Sequence, residues 1–250
     1  MKTLEMLQIN KDGWEKSAER FFGRTALPEF GPLAPTEDDL NLFGKIQGKK
    51  VLDIGCGSGH SLQYMGNKGA EELWGIDLTT KQIETATELL REQQVKVNLF
   101  ESPMEENPGL PTNYFDIAYS IYALGWTVDL ERTLANIHSY LKPGGIFIFS
   151  WEHPMHDRMK REDSKFVLEK SYLIEGPEFN EAWNRSVIIY HRKLTTYINT
   201  LIGVGFEIEK VIDDVALPDV VPEDNHLRWY SVEKAKLLPT TFIIKAKKKK

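Results

Sequence analysis

The chain has 250 residues, enough for one globular domain with elaborations and a substantial core. Its formal net charge of −6 argues against a nucleic-acid binder, whose footprint is usually basic. A single cysteine excludes an intrachain disulfide and fits a reducing, cytoplasmic setting; no signal peptide is visible, and no apolar run approaches the ~20 residues of a bilayer span.

Residues 1–44 carry Trp14, Phe21, Phe22, Phe30 and Phe43, interrupted by Pro28, Pro32 and Pro35. They predict short helices followed by an irregular crossing segment. Thr36 followed by Asp39 marks a helix start, because a hydroxyl can cap and early acids suit the helix dipole.

From residue 49 strands and helices alternate. The first strand, 50–54, runs into Val51-Leu52-Asp53-Ile54-Gly55-Cys56-Gly57-Ser58-Gly59 and then a helix over 59–67. Glycine adopts backbone angles closed to other residues and lets a ligand approach the main chain. A strand, a glycine turn and a helix N-terminus together form a cofactor cradle. The second strand, 73–77, ends on Asp77, placed to accept hydrogen bonds from both hydroxyls of a ribose. A helix follows over 80–93, with Thr79 and Gln82 as a capping box and Ile83, Ala86 and Leu90 on one face. Further strands are predicted at 96–100, 114–119 and 145–150. A helix at 129–141 is capped by Asp129 and buries Leu130, Leu134, Ile137 and Leu141. Such alternation implies an α/β fold with parallel strands and helices on both faces.

Beyond Ser150 the pattern changes. Residues 151–190 hold Trp151, His153, Pro154, His156, Tyr172 and Trp183 without steady alternation, and read as an insertion or lid. A helix near 191–203 and strands at 206–211 and 241–245 follow. Between these strands the segment Pro222-Glu223-Asp224-Asn225-His226 reads as a loop. Lys247 to Lys250 read as a solvated tail, with an anchor to membrane or nucleic acid as the alternative.

The glycine pattern is G-x-G-x-G with an acid before it, not the dinucleotide G-x-G-x-x-G. An acid there would repel a pyrophosphate but attract an ammonium group. S-adenosylmethionine carries an ammonium, a sulfonium and a ribose and no phosphate, so it suits this loop better than NAD does.

Val51 to Gly59 resembles motif I of the class I S-adenosylmethionine-dependent methyltransferases. Ile76-Asp77-Leu78 resembles their ribose-binding motif, Phe115-Asp116-Ile117-Ala118-Tyr119-Ser120 their fourth-strand motif, and Leu141-Lys142-Pro143-Gly144-Gly145 the turn before their fifth strand. The four stand in family order over residues 45–150. The chain is most similar to the small-molecule branch related to ubiquinone and menaquinone biosynthesis. The resemblance implies a Rossmann-like, seven-stranded, mostly parallel sheet of order 3-2-1-4-5-7-6. It further implies one methyltransferase domain over 1–250, with N-terminal lid helices (1–44), a cofactor-binding core (45–150), a lid insertion and helix (151–200) and a C-terminal strand pair (201–250).

The same resemblance implies the cofactor site. Asp53, Gly55, Cys56, Gly57 and Gly59 would face the methionine portion, with Cys56 itself a small packing residue. Asp77 would bind the ribose and Leu78 pack on the adenine. Ser102 stands where relatives often carry an acid that reads the adenine amino group, so Pro103 and Met104 enter as further contacts. Ser120 and Ile121 would lie under the methionine portion. Ser120-Ile121-Tyr122-Ala123-Leu124-Gly125-Trp126 lacks the Asn/Asp-Pro-Pro-Tyr motif of DNA and protein amino-group methyltransferases.

The expected reaction is in-line methyl transfer to a small-molecule acceptor. Trp14, Tyr122 and Trp126 are candidates for the cleft wall, with ordinary core packing as the alternative. His153 and His156 follow the fifth strand, where this architecture carries its site, and are the candidate bases; structural and metal-ligand roles stand as alternatives, although no paired ligand set accompanies them. A non-catalytic S-adenosylmethionine-binding protein and an NAD(P)-dependent oxidoreductase are the rival functions.

Overall fold

The computed structural model describes residues 2–163, 165–182, 185–220 and 230–250. Trp183 and the 222–226 segment lie outside the described residues.

The N-terminal segment corrects the expectation of short helices. One 15-residue helix, α1 (Thr3–Ser17), runs into a 3₁₀ turn at Ala18–Phe21. The crossing segment then leads to α2 (Glu37–Leu40), which begins after Thr36 with Asp39 closing the cap.

The alternating region follows as β1 (Lys50–Ile54), α3 (His60–Asn67), β2 (Glu72–Asp77), α4 (Thr80–Leu90), β3 (Lys96–Glu101), β4 (Phe115–Ile121), α5 (Leu130–Tyr140) and β5 (Leu141–Glu152). Asp129 caps α5 by accepting the Arg132 N–H. Thr79 and Gln82 do not form the expected capping box. The Thr79 hydroxyl and N–H both turn to Asp77 Oδ1 instead, at 3.1 and 3.0 Å. A carboxylate two residues back outcompetes a glutamine amide as partner. The expected turn at 141–145 is an irregularity inside β5: Leu141 pairs with Phe115 and Ile146 with Ile117, so the residues between bulge from the ladder.

Four short strands follow as two antiparallel hairpins, β6 (Met159–Glu162) with β7 (Lys165–Leu168) and β8 (Gly176–Ala182) with β9 (Arg185–His191). Then come α6 (Leu194–Gly203), β10 (Phe206–Ile212), α7 (Val232–Ala235) and β11 (Thr241–Lys248).

The main sheet has the order β10-β11-β5-β4-β1-β2-β3. Strands β1 to β5 are parallel to one another, and β11 is antiparallel to both β5 and β10. This is the anticipated Rossmann-like arrangement. One face packs Leu130, Leu134 and Ile137 of α5 with Tyr197 and Leu201 of α6. The other packs Leu62 and Met65 of α3, Leu90 of α4, and Phe30, Leu42 and Phe43 from the crossing segment. Burial on both faces explains why β1 and β4 read as continuous apolar runs. It also brings the carboxyl ends of β1, β2, β4 and β5 to one edge.

Only the last two residues of the lysine run, Lys249 and Lys250, form an exposed tail. Lys247 and Lys248 belong to β11. Lys248 Nζ donates to the carbonyls of His138 and Leu141, at 2.8 and 2.9 Å. A cation at the C-terminus of α5 satisfies carbonyls that the helix leaves unpaired and opposes its dipole. Among the described residues, no helix is long and apolar enough to cross a membrane.

Candidate active site

A cavity of about 670 Å³ opens at the carboxyl edge of the sheet. That lies within the ~300–1,000 Å³ range of small-ligand sites. Its floor is the glycine loop, the end of β2 and the segments after β3 and β4. Its roof is α1 with residues 21–26, and its far wall is the end of β5 with the hairpins.

The glycine loop is tied down from behind, since the N–H groups of Gly55 and Cys56 both donate to the Ile76 carbonyl at 2.9 Å. Gly57 has φ +50° and open space where a Cβ would stand, so its backbone faces the cavity bare. Asp77 spans the loop: Oδ2 accepts the Gly57 N–H at 3.0 Å, while Oδ1 holds Thr79. Burial raises the pKa of Asp77, and the hydrogen bonds from Thr79 and Gly57 oppose that rise. Asp53 is only 2% exposed, and burial followed by the charge of Asp77 pushes its carboxyl well up. Burial likewise raises the Cys56 thiol well above its ordinary value, with the charges of Asp77 and Asp53 adding to the effect. Cys56 is buried, 6% exposed, and packs beneath the loop.

The cavity lining brings together Asp53, Gly55, Cys56, Gly57, Asp77, Leu78, Ser102, Pro103, Met104 and Ile121 from the expected cofactor set, and Trp14, Tyr122, Trp126 and His156 from the acceptor set. Three expected residues fall outside it. Gly59 opens α3, and a Cβ there would stand 3.0 Å from Ala86 Cβ, so its smallness serves the packing of α3 on α4. Ser120 is fully buried and donates to the Ile54 carbonyl at 2.8 Å, tying β4 to β1. His153 turns away: its Nδ1 accepts the Met155 N–H at 3.3 Å and its ring lies edge-on to Phe242. Burial lowers its pKa, opposed by the charge of Asp213.

Several lining residues carried no sequence signal. Glu105 Oε1 accepts from Thr127 Oγ1 at 2.6 Å and from the Val128 N–H at 2.7 Å, which fixes the turn bearing Trp126. Glu152 Oε1 lies 3.0 Å from His156 Nδ1, and His156 is 1% exposed. Lys234 donates to the carbonyls of His156 and Met159, and burial lowers its pKa. Asn10 on α1 clamps β9 by donating to the Ile188 carbonyl at 3.0 Å and accepting its N–H at 2.7 Å, which holds the roof on the far wall. Among the described residues, no group of three or more His, Cys, Asp or Glu is placed to hold a metal ion.

Two buried carboxyl groups beside a bare glycine loop can accept hydrogen bonds from an ammonium group and from ribose hydroxyls. The known proteins similar to this chain agree. Residues 52–149 match the Methyltransferase domain family. A solved S-adenosylmethionine-dependent methyltransferase from Mesorhizobium loti superposes with a TM-score of 0.69 at 27% identity, covering 84% of this chain and 95% of the other. The chain belongs to the class I S-adenosylmethionine-dependent methyltransferases. Among curated relatives of the methyltransferase, a protein of Haemophilus influenzae named only as uncharacterized is 32% identical over 184 residues, 69% of this chain and 72% of that protein. The malonyl-[acyl-carrier protein] O-methyltransferase of Pectobacterium atrosepticum is 32% identical over 133 residues, which span 52% of this chain and 50% of that enzyme. The methyltransferase uses S-adenosylmethionine; these likenesses leave its acceptor open.

Proposed function

We propose that the methyltransferase acts on a small molecule bound between Trp14, Tyr122 and Trp126, and that its cofactor lies along the glycine loop. The observation that carries this reading is the convergence of the glycine loop, Asp77, α1, the hairpins and the aromatic rings on one cavity. S-adenosylmethionine supplies an electrophilic methyl group on a sulfonium whose departure needs no acid. On this reading Asp77 holds the ribose hydroxyls, exchanging its Gly57 partner for them. Asp53 and the Gly55 to Gly57 backbone line the methionine portion. Leu78 and Met104 pack the adenine, with Ser102 and Pro103 at its edge, and Ile121 lies under the methionine portion. The aromatic wall aligns the acceptor, and alignment supplies much of the rate. His156, oriented by Glu152, is the proton acceptor when the nucleophile must lose a proton. His153 has no part in this scheme.

We read residues 1–250 as one catalytic unit, because α1, the sheet edge and the hairpins all contribute to one cavity. A cytoplasmic setting is part of the same proposal, supported by a lone cysteine buried in the glycine loop. Calorimetric titration with S-adenosylmethionine and S-adenosylhomocysteine, followed by an acceptor screen read as S-adenosylhomocysteine release, tests it. One-site binding and turnover with small acceptors are expected. Turnover confined to macromolecular acceptors would overturn the reading.

A further inference from the structure

The far wall is a continuous chain of aromatic rings. Trp14 meets Trp126 at 5.1 Å between centroids and 87° between planes. Trp126 meets Trp151 at 5.7 Å and 79°, and Trp151 meets Tyr122 at 5.4 Å and 45°. All four line the cavity. A slot for a planar ring needs parallel walls. Here two successive pairs stand near right angles and the third at 45°, so the rings present faces in several directions, as a site for a compact cation requires.

The backbone is shaped for this wall. A Cβ on Gly125 would stand 1.8 Å from Trp151 Cε2, and one on Gly31 would stand 2.2 Å from Tyr122 Cε2. Tyr122 itself takes φ +53°, unusual for a bulky residue, while its hydroxyl is held 2.8 Å from Thr241 Oγ1. Any larger residue at Gly125 or Gly31 would displace a ring.

A carboxylate adjoins the rings. Glu152 follows Trp151, lines the cavity with a side chain 22% exposed, and acts electrostatically on the Tyr122 hydroxyl. His156, in the tautomer that donates from Nδ1, keeps it oriented. Three of the four lysines and arginines of the lining have partners of their own, and the fourth, Arg24, enters from the roof segment. Lys234 points to backbone carbonyls, Lys160 pairs with Glu169 and Lys170 with Glu178.

Building on the methyl-transfer reading, we propose that the acceptor is a small amine, bound as its ammonium ion in the box of Trp14, Tyr122, Trp126 and Trp151 with Glu152 as counter-charge. One N–H proton passes to the Glu152–His156 pair and on to solvent. The freed lone pair forms the new N–C bond as the methyl C–S bond breaks, and that electron pair stays on sulfur. The products are the methylated ammonium, neutral S-adenosylhomocysteine and one proton. The methylated nitrogen is again a cation that fits the same box, so a secondary or tertiary amine is accepted as well.

The test uses the full chain saturated with S-adenosylhomocysteine, which carries no sulfonium to compete for the box. Tryptophan fluorescence is titrated with tetramethylammonium chloride and with neopentyl alcohol, its neutral counterpart in shape, at constant ionic strength. The cation is expected to bind at least tenfold more tightly than the alcohol. Trp126→Leu and Glu152→Gln should each weaken the cation at least tenfold, and Trp126→Phe should restore most of it. Calorimetry should show S-adenosylhomocysteine affinity within twofold of the parent in all three. Equal binding of alcohol and cation, or cation binding indifferent to Trp126→Leu, overturns the amine proposal alone. Failure of the parent chain to bind S-adenosylhomocysteine overturns the methyl-transfer reading and the amine proposal with it.

Discussion

At the glycine-loop end of the cavity, the wall residues stand at the ends of β1, β2 and β4 or just beyond them, and their neighbours in space are their neighbours in the sheet order. At the far end, the wall is gathered from α1, the segment after β4, the end of β5, two hairpins and α7. Its ties join distant parts of the chain, such as Asn10 to Ile188 and Lys234 to His156. The first end is carried by a sheet buried on both faces. The second is held by individual hydrogen bonds and ring contacts. The contrast suggests that a family can keep one cofactor end while exchanging acceptors at the other, since loops tolerate change that a packed sheet does not.

The largest effect should separate the two histidines of the far end. With any acceptor that supports turnover, His156→Gln is expected to lower kcat about 100-fold, the lower end of general-base contributions, and His153→Gln to leave it within about twofold. Equal losses in both would show that the far wall rearranges when ligands bind. At the cofactor end, Asp77→Ala should weaken S-adenosylmethionine by about 2–3 kcal/mol, roughly 30- to 150-fold, as a charged hydrogen-bond acceptor is lost. Unchanged affinity in a folded Asp77→Ala protein would remove the ribose assignment.

Gly125→Ala tests whether the halves are independent. Overpacking against Trp151 should cost about 1–3 kcal/mol of stability and reduce acceptor turnover more than tenfold. S-adenosylhomocysteine affinity should stay within about threefold by calorimetry; a parallel loss would make the cavity one cooperative unit. The smallest effect concerns the opposite end of the same sheet. Burial pushes the Glu72 carboxyl up, but hydrogen bonds from Trp74, Tyr114 and Lys50 outweigh it and bring its pKa down to about 2, from 4.5 when unfolded. A depressed carboxylate stabilises above its unfolded pKa and loses that contribution as pH falls through its folded one. Thermal melts from pH 5 to pH 2 should therefore show a loss on the order of 1–2 kcal/mol that Glu72→Gln lacks. An identical acid limb in the variant would remove Glu72 from the account.

Between residues 50 and 150 most of the structure was legible. Parallel strands buried on both faces read as apolar runs, so Asp53, Asp77 and Ile121, at or next to the ends of their strands, could be placed at the cavity by counting. Differences there were local: Thr79 preferred Asp77 to its own helix, and Gly59 and Ser120 fall outside the cavity lining. The far end was legible only in its residue types. His153 and Glu152 are adjacent, and only the pairing of β5 with β11 and the packing of Phe242 decide that Glu152 lines the cavity and His153 does not. Lys248 read as tail because its acceptors, the His138 and Leu141 carbonyls, lie more than a hundred residues away.

The amino-acid sequence by itself determined the α/β alternation, the glycine cradle with its two acids and the identity of the cofactor. These depend on backbone conformation, periodic burial and charge within short stretches of chain. The tertiary structure alone decided which histidine meets the cavity, that four rings from three distant segments form one wall, and that Glu152 stands beside them. Those facts rest on contacts between segments far apart in sequence, and such contacts exist only once the sheet has brought the segments together.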